Sequence, residues 1–439
     1  MKPFTEESPA YHAAVEKNYR HNFVIGVLDG TFFWLGASFI ASGVILPLFV
    51  SRLTDNPLLI GLVAVINSAG FLLPQLFTVN WVQQLAIKKD LPIKVGFFSE
   101  RVPIFLLPIA MGFLVPRAPK VALAVFFLLY AWHSVGAGLI GVAWQDMIAK
   151  VIPVRRRGFY MGLTNFGGTA TGVVGAAFAA WLLGRYVFPT GYVYSFALAG
   201  VFIFISWLFI AQTREVPLIH NEEPVSHRKF WGSLPALLRG DGNLRAFLIT
   251  QVVIATAAMG WGYQAVFAAQ RWNLPDSQTG ALTSAILIGQ SLANLAFGPL
   301  ADRKGYKIIL EIGVLALTGA FVITLFAPGP GWLWLAFGLR GVNQAVVLLI
   351  MMFVLEFSAA GVRPTYIGLS NTVSGIASAV APLIGGWLAL SFGYLPVFWV
   401  SILMGLGAWF LLRFWVGEPR RQNAAAPAAA PQPLHQPPQ

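Results

Sequence analysis

Long apolar runs separated by short polar or Pro/Gly-rich stretches give this chain its pattern. The runs are continuous rather than alternating, so they read as helices that are apolar all round, not as half-buried strands or one-faced surface helices. Bounded at charges and at Pro/Gly, they predict twelve helices at about 23–50, 58–82, 94–115, 119–149, 159–184, 191–212, 244–270, 278–300, 306–327, 331–358, 365–390 and 393–416. A bilayer core takes about 20 apolar residues per helical crossing. The predicted fold class is therefore an all-α integral membrane protein with twelve transmembrane helices.

Two of the predicted helices resemble one another. "FYMGLTNFGGTATGVVGAAFAAWLL" (159–183) aligns without a gap on "TYIGLSNTVSGIASAVAPLIGGWLA" (365–389), matching Tyr160/Tyr366, Gly162/Gly368, Leu163/Leu369, Asn165/Asn371, Val174/Val380, Trp181/Trp387 and Leu182/Leu388. An even number of crossings separates them, so both copies run the same way. That predicts two parallel six-helix repeats. The expected organisation is a tail (1–22), a first bundle (23–212), a polar linker (213–243) with a short amphipathic piece around Phe230–Leu238, a second bundle (244–416) and an Ala/Pro/Gln-rich disordered tail (417–439).

Composition agrees with the pattern: 57% of residues are hydrophobic and 10% charged, against roughly a quarter charged in soluble domains. The net charge of +12 calls for a partner only if the bases cluster on one surface, and they do not. Of 29 Lys and Arg, 22 fall in the tails and the loops on the tail side, including Lys88, Lys89, Arg155, Arg156, Arg157, Arg303 and Lys304. The opposite loops hold Arg52, Arg117, Lys120, Arg185 and Arg271, and Arg101 and Arg340 lie within spans. This is the positive-inside bias, which predicts both termini on the cytoplasmic side of the plasma membrane and leaves no role for nucleic acid. Residues Met1–His21 lack an apolar core and do not read as a secretory signal. With no cysteine, disulfides, thiolate metal sites and cysteine nucleophiles are excluded.

One loop carries chemistry beyond topology. "GPLADRKGYK" (298–307) sets Asp302, Arg303, Lys304 and Lys307 around Gly298 and Gly305 between two predicted helices. On these residues, the twelve spans and the repeat, the chain resembles the major facilitator superfamily over 22–416. That family's signature, Gly-x-x-x-Asp-Arg/Lys-x-Gly-Arg/Lys-Arg/Lys, is met here by Gly298, Asp302, Arg303, Gly305 and Lys307, with Tyr306 as the departure. The resemblance implies a cytoplasmic gate motif that fastens the ends of the two bundles when the cavity opens outward. Gly298 would allow helix approach, Asp302 would accept hydrogen bonds and Gly305 would permit the tight turn. Aligning the second predicted helix on the eighth through Gly61/Gly280, Gly70/Gly289 and Leu73/Leu292 puts Gln83 opposite Asp302, so the first copy has lost its charge or shifted it to Asp90. A second family feature, between the fourth and fifth helices, is present as "PVRRRG" (153–158).

Ionisable and polar groups at membrane depth are costly, so each is a functional candidate. Asp29 lies in the first helix, where Leu28-Asp29-Gly30-Thr31 resembles the start of a drug–proton antiporter motif. Arg340, Asn343 and Gln344 share one helix face, and an Arg at that depth needs an acceptor or an anionic ligand. His133, Gln264, Gln290 and Asn294 complete the substrate and coupling candidates, with hydrogen bonding in the core as the competing role. Glu100, Arg101 and Asp146 are expected to form a structural ion-pair set near the cytoplasmic side.

The family resemblance implies a secondary active transporter moving a small solute by alternating access, with the proton as coupling ion; the resemblance at Leu28–Thr31 and the sparse charge within the spans favour export of a hydrophobic compound over uptake. It is expected to work as a monomer in the lipid bilayer without a cofactor or metal. No "GxxxxGK[ST]" stretch for ATP occurs, nor any His/Asp/Glu cluster in the spans with enzyme spacing. The competing class is a non-transporting protein on the same scaffold: a receptor, an assembly factor or a membrane enzyme.

Overall fold

A computed structural model describes residues 9–217, 237–357 and 363–418, and these are helical with no strand. The helices are α1 (Pro9–Ser38), α2 (Ile45–Ser51), α3 (Pro57–Gln84), α4 (Val102–Leu114), α5 (Pro119–Val151), α6 (Val154–Arg185) and α7 (Thr190–Ile210). They continue with α8 (Gly242–Ala257), α9 (Trp261–Trp272), α10 (Asp276–Lys304), α11 (Tyr306–Phe326), α12 (Trp332–Phe357), α13 (Arg363–Phe392) and α14 (Tyr394–Phe414). Among the described residues, ten segments are long and apolar enough to cross a membrane. The split pair α1–α2 and the helix α12 occupy the places of the other two expected crossings.

Three expected crossings are not the single α-helices that the pattern predicts. The first starts at Pro9 rather than near residue 23, stops at Ser38 and resumes at Ile45. At that stop the Ser38 hydroxyl bonds back to the Leu35 carbonyl at 2.6 Å, while Gly36 lies against Ala199 and Ile203 of α7. The third is preceded by two π-helical turns, Leu91–Val95 and Phe97–Arg101, which feed into α4. A π turn adds a residue and rotates the helix beyond it, and such turns concentrate at functional positions. The seventh is divided by a 3₁₀ turn, Ala258–Gly260. Hydrophobicity does not register these breaks, because lipid or core accepts the residues on either side equally.

Helix pairing follows the repeat. In the first half α1 packs on α6 and α7, α3 on α5, and α4 on α5 and α7; in the second, α8 packs on α13 and α14, α10 on α12, and α11 on α12 and α14. The two most extensive contacts that join the halves are α6 with α10 and α3 with α13, and smaller ones set α9 against α2 and α3 and α10 against α2. The matched segments 159–183 and 365–389 lie within α6 and α13, so the two main inter-half contacts are one contact made twice. The glycine alignment agrees: Gly70 of α3 lies against Ser134 of α5, and its mate Gly289 of α10 lies against Gly338 of α12. A residue with a Cβ at either position would push the helices apart, since small residues set close approach in membrane bundles.

The amphipathic piece around Phe230–Leu238 lies almost wholly outside the described residues, as does the tail from 419 onward.

Candidate functional site

The described hydrogen bonds and ion pairs that join the halves lie at mid-depth or on the side opposite the chain ends, hereafter the opposite side and the terminal side. On the opposite side Arg52, just past α2, forks onto Asp276 at the start of α10. Its Nε donates to Oδ1 and Oδ2 at 3.2 and 3.0 Å and its Nη2 to Oδ1 at 2.6 Å. The Tyr192 hydroxyl, from α7, donates to Asp276 Oδ2 at 2.8 Å. The hydrogen bonds to Asp276 hold the Arg52 guanidinium above its usual pKa. Sequence reading missed this cluster, although Arg52 stood out as one of five bases in the opposite loops.

Inward of that seal, Gly386 of α13 meets Leu58, and Gly61 of α3 meets Tyr263, whose hydroxyl donates to the Pro382 carbonyl at 2.9 Å. At mid-depth Leu287 of α10 faces Gly172 of α6, and Leu72 of α3 faces Gly375 of α13. Polar side chains sit here and toward the terminal side, yet remain accessible. Asn67 and Asn371 are exposed, and Gln290, Asn294 and Gln344 are half-buried with no side-chain hydrogen bond among the described residues. Asn371 is one helical turn from Gly375, and Gln290 and Asn294 are three and seven residues from Leu287, so their helix faces turn toward the other half. Unpaired amides facing lipid would be costly, which favours a polar cavity between the halves. Trp34, packed on Gly168 of α6, is also partly open there.

Arg340 lies at the inner end of the seal. It is 3% exposed, and its Nη1 donates to the carbonyl of Gly43, at the break between α1 and α2, at 3.2 Å. Its guanidinium lies 5.0 Å from the centre of the Trp261 ring and 5.8 Å from that of Phe337. No carboxylate pairs with it among the described residues. Beside Gly43, Ser42 and Ser134 flank the Tyr130 hydroxyl, which donates to Asn67 Oδ1 at 3.1 Å. Ser42, Asn67 and Tyr130 were not singled out from the sequence, where they are ordinary members of apolar runs.

Other candidates prove to be packing groups. Gln264 is fully buried and donates to Thr324 Oγ1 of α11 at 2.7 Å. Asn343 likewise donates to the Gly313 carbonyl of α11 at 2.9 Å. Asp29 is buried inside the first half, with Ser206 of α7 donating to Oδ1 at 2.6 Å and Trp144 of α5 donating to Oδ2 at 3.4 Å. Arg101 lies within electrostatic reach of Asp29 and contacts Glu100, whose backbone carbonyl accepts from His133 Nδ1 at 2.9 Å. Asp29, Glu100, Arg101 and His133 thus form one network within the first half.

The expected pairing of Asp146 with Glu100-Arg101 is replaced by another partner. Lys88 in the loop after α3 reaches Asp146 at 3.3 Å and also bonds the Val82 carbonyl. Burial pushes the Lys88 ammonium below the usual lysine range, with Asp146 opposing the shift. Close by, Glu215, just after α7, accepts from the Lys88 and Lys89 backbone N–H groups at 2.9 and 2.7 Å and from Lys150 Nζ at 2.5 Å. The loop whose gate motif is degenerate is therefore clasped within its own half.

In the gate motif, Gly305 carries φ +84° and alone separates α10 from α11, a conformation that favours glycine. Arg303 is exposed, and Lys307 Nζ donates to the Arg413 carbonyl at 3.2 Å. The side chain of Asp302 lies outside the described set, as does that of Gln83. Gly298 departs from expectation: among the described residues, a Cβ there would meet nothing within 4 Å.

Comparison with known proteins places this geometry. The family model described as Major Facilitator Superfamily matches residues 247–437. The 4-hydroxybenzoate transporter PcaK of Acinetobacter baylyi is 30% identical over 158 residues, 36% of this chain and 33% of PcaK. The chain thus aligns with about a third of the length of that relative. A protein described as a sugar efflux transporter, from Deinococcus radiodurans, is 23% identical over 88% of this chain and 96% of its own. Among solved structures, a D-xylose–proton symporter superposes with TM-score 0.68 at 13% identity, covering 91% of this chain and 98% of that one. The inward-open xylose transporter XylE of E. coli superposes at 0.65 and 15%, covering 90% and 96%. Residues 247–437, which include the Gly298–Lys307 motif, match the Major Facilitator Superfamily model, and the chain as a whole shares the fold of the two xylose transporter structures.

Proposed function

We propose that the protein is a secondary active transporter that moves a small solute by alternating access. The observation that carries this reading is the pairing of a seal on one side, Arg52–Asp276–Tyr192, with accessible polar groups beneath it that lead to a buried Arg340. The two halves, 23–212 and 244–416, are the moving bodies, hinged at α3–α13 and α6–α10 and joined by the linker 213–243. With the terminal side cytoplasmic, as the Lys/Arg asymmetry favours, the conformation described is inward-open. Gln290, Asn294, Arg340 and Gln344 contact solute in this reading. Gln264 and Asn343 hold the second half together.

The proton is the coupling ion in this reading, and Asp29 is the group that carries it. Its network reaches α5 and α7 as well as α1, so a change of its charge acts on the packing of the first half. Export is favoured, in line with the description of the Deinococcus protein as a sugar efflux transporter. Gradient-driven flux in liposomes containing only this protein tests the reading; absence of flux for every solute that the purified protein binds would return it to the non-transporting class. Asp29→Asn should abolish uphill transport and leave exchange at equal concentrations intact. Retention of uphill transport would remove Asp29 from coupling.

A further inference from the structure

Arg340 is the unsolved electrostatic problem of this molecule. A guanidinium held almost wholly out of solvent is unfavourable unless an anion or several acceptors compensate it. Here it has one backbone acceptor, the Gly43 carbonyl, and two aromatic neighbours. Cation–π contact with Trp261 offsets only part of the charge. The other buried cations among the described residues are answered differently: Lys88 by Asp146, Lys150 by Glu215, and Arg101 by Glu100.

The surroundings of Arg340 are rich in donors. The Trp261 indole Nε1, on the ring that the guanidinium faces, is buried and has no acceptor. The Asn67 carbonyl oxygen is taken by Tyr130, which leaves its amide N–H groups free on an exposed side chain. The chain from Arg340 through Gly43, Ser42 and Tyr130 to Asn67 places these groups along one stretch of the site. A neutral sugar or an amine would find donors without matching acceptors. A carboxylate supplies a charge for the guanidinium and acceptor oxygens for the fork and the indole N–H.

Resting on the transport reading for the location of the solute path, we propose that this site binds a small organic monocarboxylate. The carboxylate faces Arg340 and the Trp261 N–H, and the remainder of the solute lies toward Tyr130 and Asn67. Because Arg340 bonds Gly43 across the halves, the ligand's charge also bears on the contact that closes the opposite side.

Binding is measured on the full-length purified protein, without a gradient, by tryptophan fluorescence and thermal shift. The probes are acetate, pyruvate and benzoate, with benzamide and benzylamine as neutral and cationic counterparts and chloride and inorganic phosphate as inorganic anions. At least one carboxylate should bind and raise the melting temperature, while benzamide and benzylamine should not. Loss of one member of a desolvated charge pair costs enough that Arg340→Gln should weaken that affinity about 100-fold or more. Arg340→Lys, which keeps the charge but not the fork, should weaken it by roughly tenfold, and Trp261→Phe, which keeps the ring but not the N–H, by about fivefold. Arg340→Lys and Trp261→Phe keep the inference testable if Arg340→Gln does not fold. No binding by any of the three carboxylates, binding indifferent to Arg340→Lys and Trp261→Phe, or binding confined to chloride and phosphate would each overturn it. Carboxylate binding without flux would retain this site and refute the transport reading. Flux of a neutral solute that no carboxylate competes with would do the reverse.

Discussion

Arg52→Gln removes the charge from the one ion pair that crosses the halves among the described residues, and its effect is set by geometry. The guanidinium makes three hydrogen bonds to Asp276, the shortest 2.6 Å, and Tyr192 holds the same carboxylate from a third helix. A fully exposed pair is worth about 0.2–1 kcal/mol, and a charge-assisted hydrogen bond with a desolvated partner about 1.5–3 kcal/mol. Arg52's side chain is 49% exposed and Asp276's 11%, so the pair belongs between these limits, at about 1–2 kcal/mol after screening of the exposed partner. If the contact exists only when the opposite side is closed, its loss favours the other conformer roughly 5- to 30-fold. The chain has no cysteine, so Asn67→Cys provides a unique thiol at mid-depth. A membrane-impermeant maleimide applied from the opposite side should label it roughly 5- to 30-fold faster in the Arg52→Gln background. Arg185→Gln is the control, since that exposed cation only lies over the Tyr186 ring. Equal labelling in the two backgrounds would refute the claim that Arg52–Asp276 holds the conformation.

Glu215→Gln should lower stability by about 3–5 kcal/mol, read as a fall in melting temperature, because Lys150 would keep its buried charge without its partner. Gly341→Ala should also lower it, by about 1–3 kcal/mol or more, since the added Cβ would collide with the Ile286 backbone of α10, whereas Gly298→Ala should leave stability within about 1 kcal/mol. Asp302→Asn, if that residue fastens the terminal side, should raise labelling from the terminal side roughly tenfold, with Gln83→Ala barely changing it. Equal responses would show that the second helix is misaligned on the eighth.

The chain's own pattern determined the membrane, the number of crossings and the parallel repeat. Lipid leaves no alternative to helices that satisfy their own backbones, so each crossing must be written locally as a long apolar run. The Gly70/Gly289 correspondence survives into space because both copies use the same helix face. Gly305 was equally legible: a turn of one residue between two helices needs a left-handed φ, and glycine provides it.

Partnership was decided by tertiary structure. Periodicity says which residues share a face, but the rotation of each helix against its neighbours says what that face meets. Asp146 therefore met Lys88 rather than Arg101, and Gln264 met Thr324. The breaks at 39–44 and 258–260 were invisible for a related reason, since burial depends on surroundings and not on helix continuity. Arg340 combines both lessons. The sequence showed a cation at membrane depth, but only the fold placed Gly43 against it, left the Trp261 N–H beside it unpaired, and withheld a carboxylate.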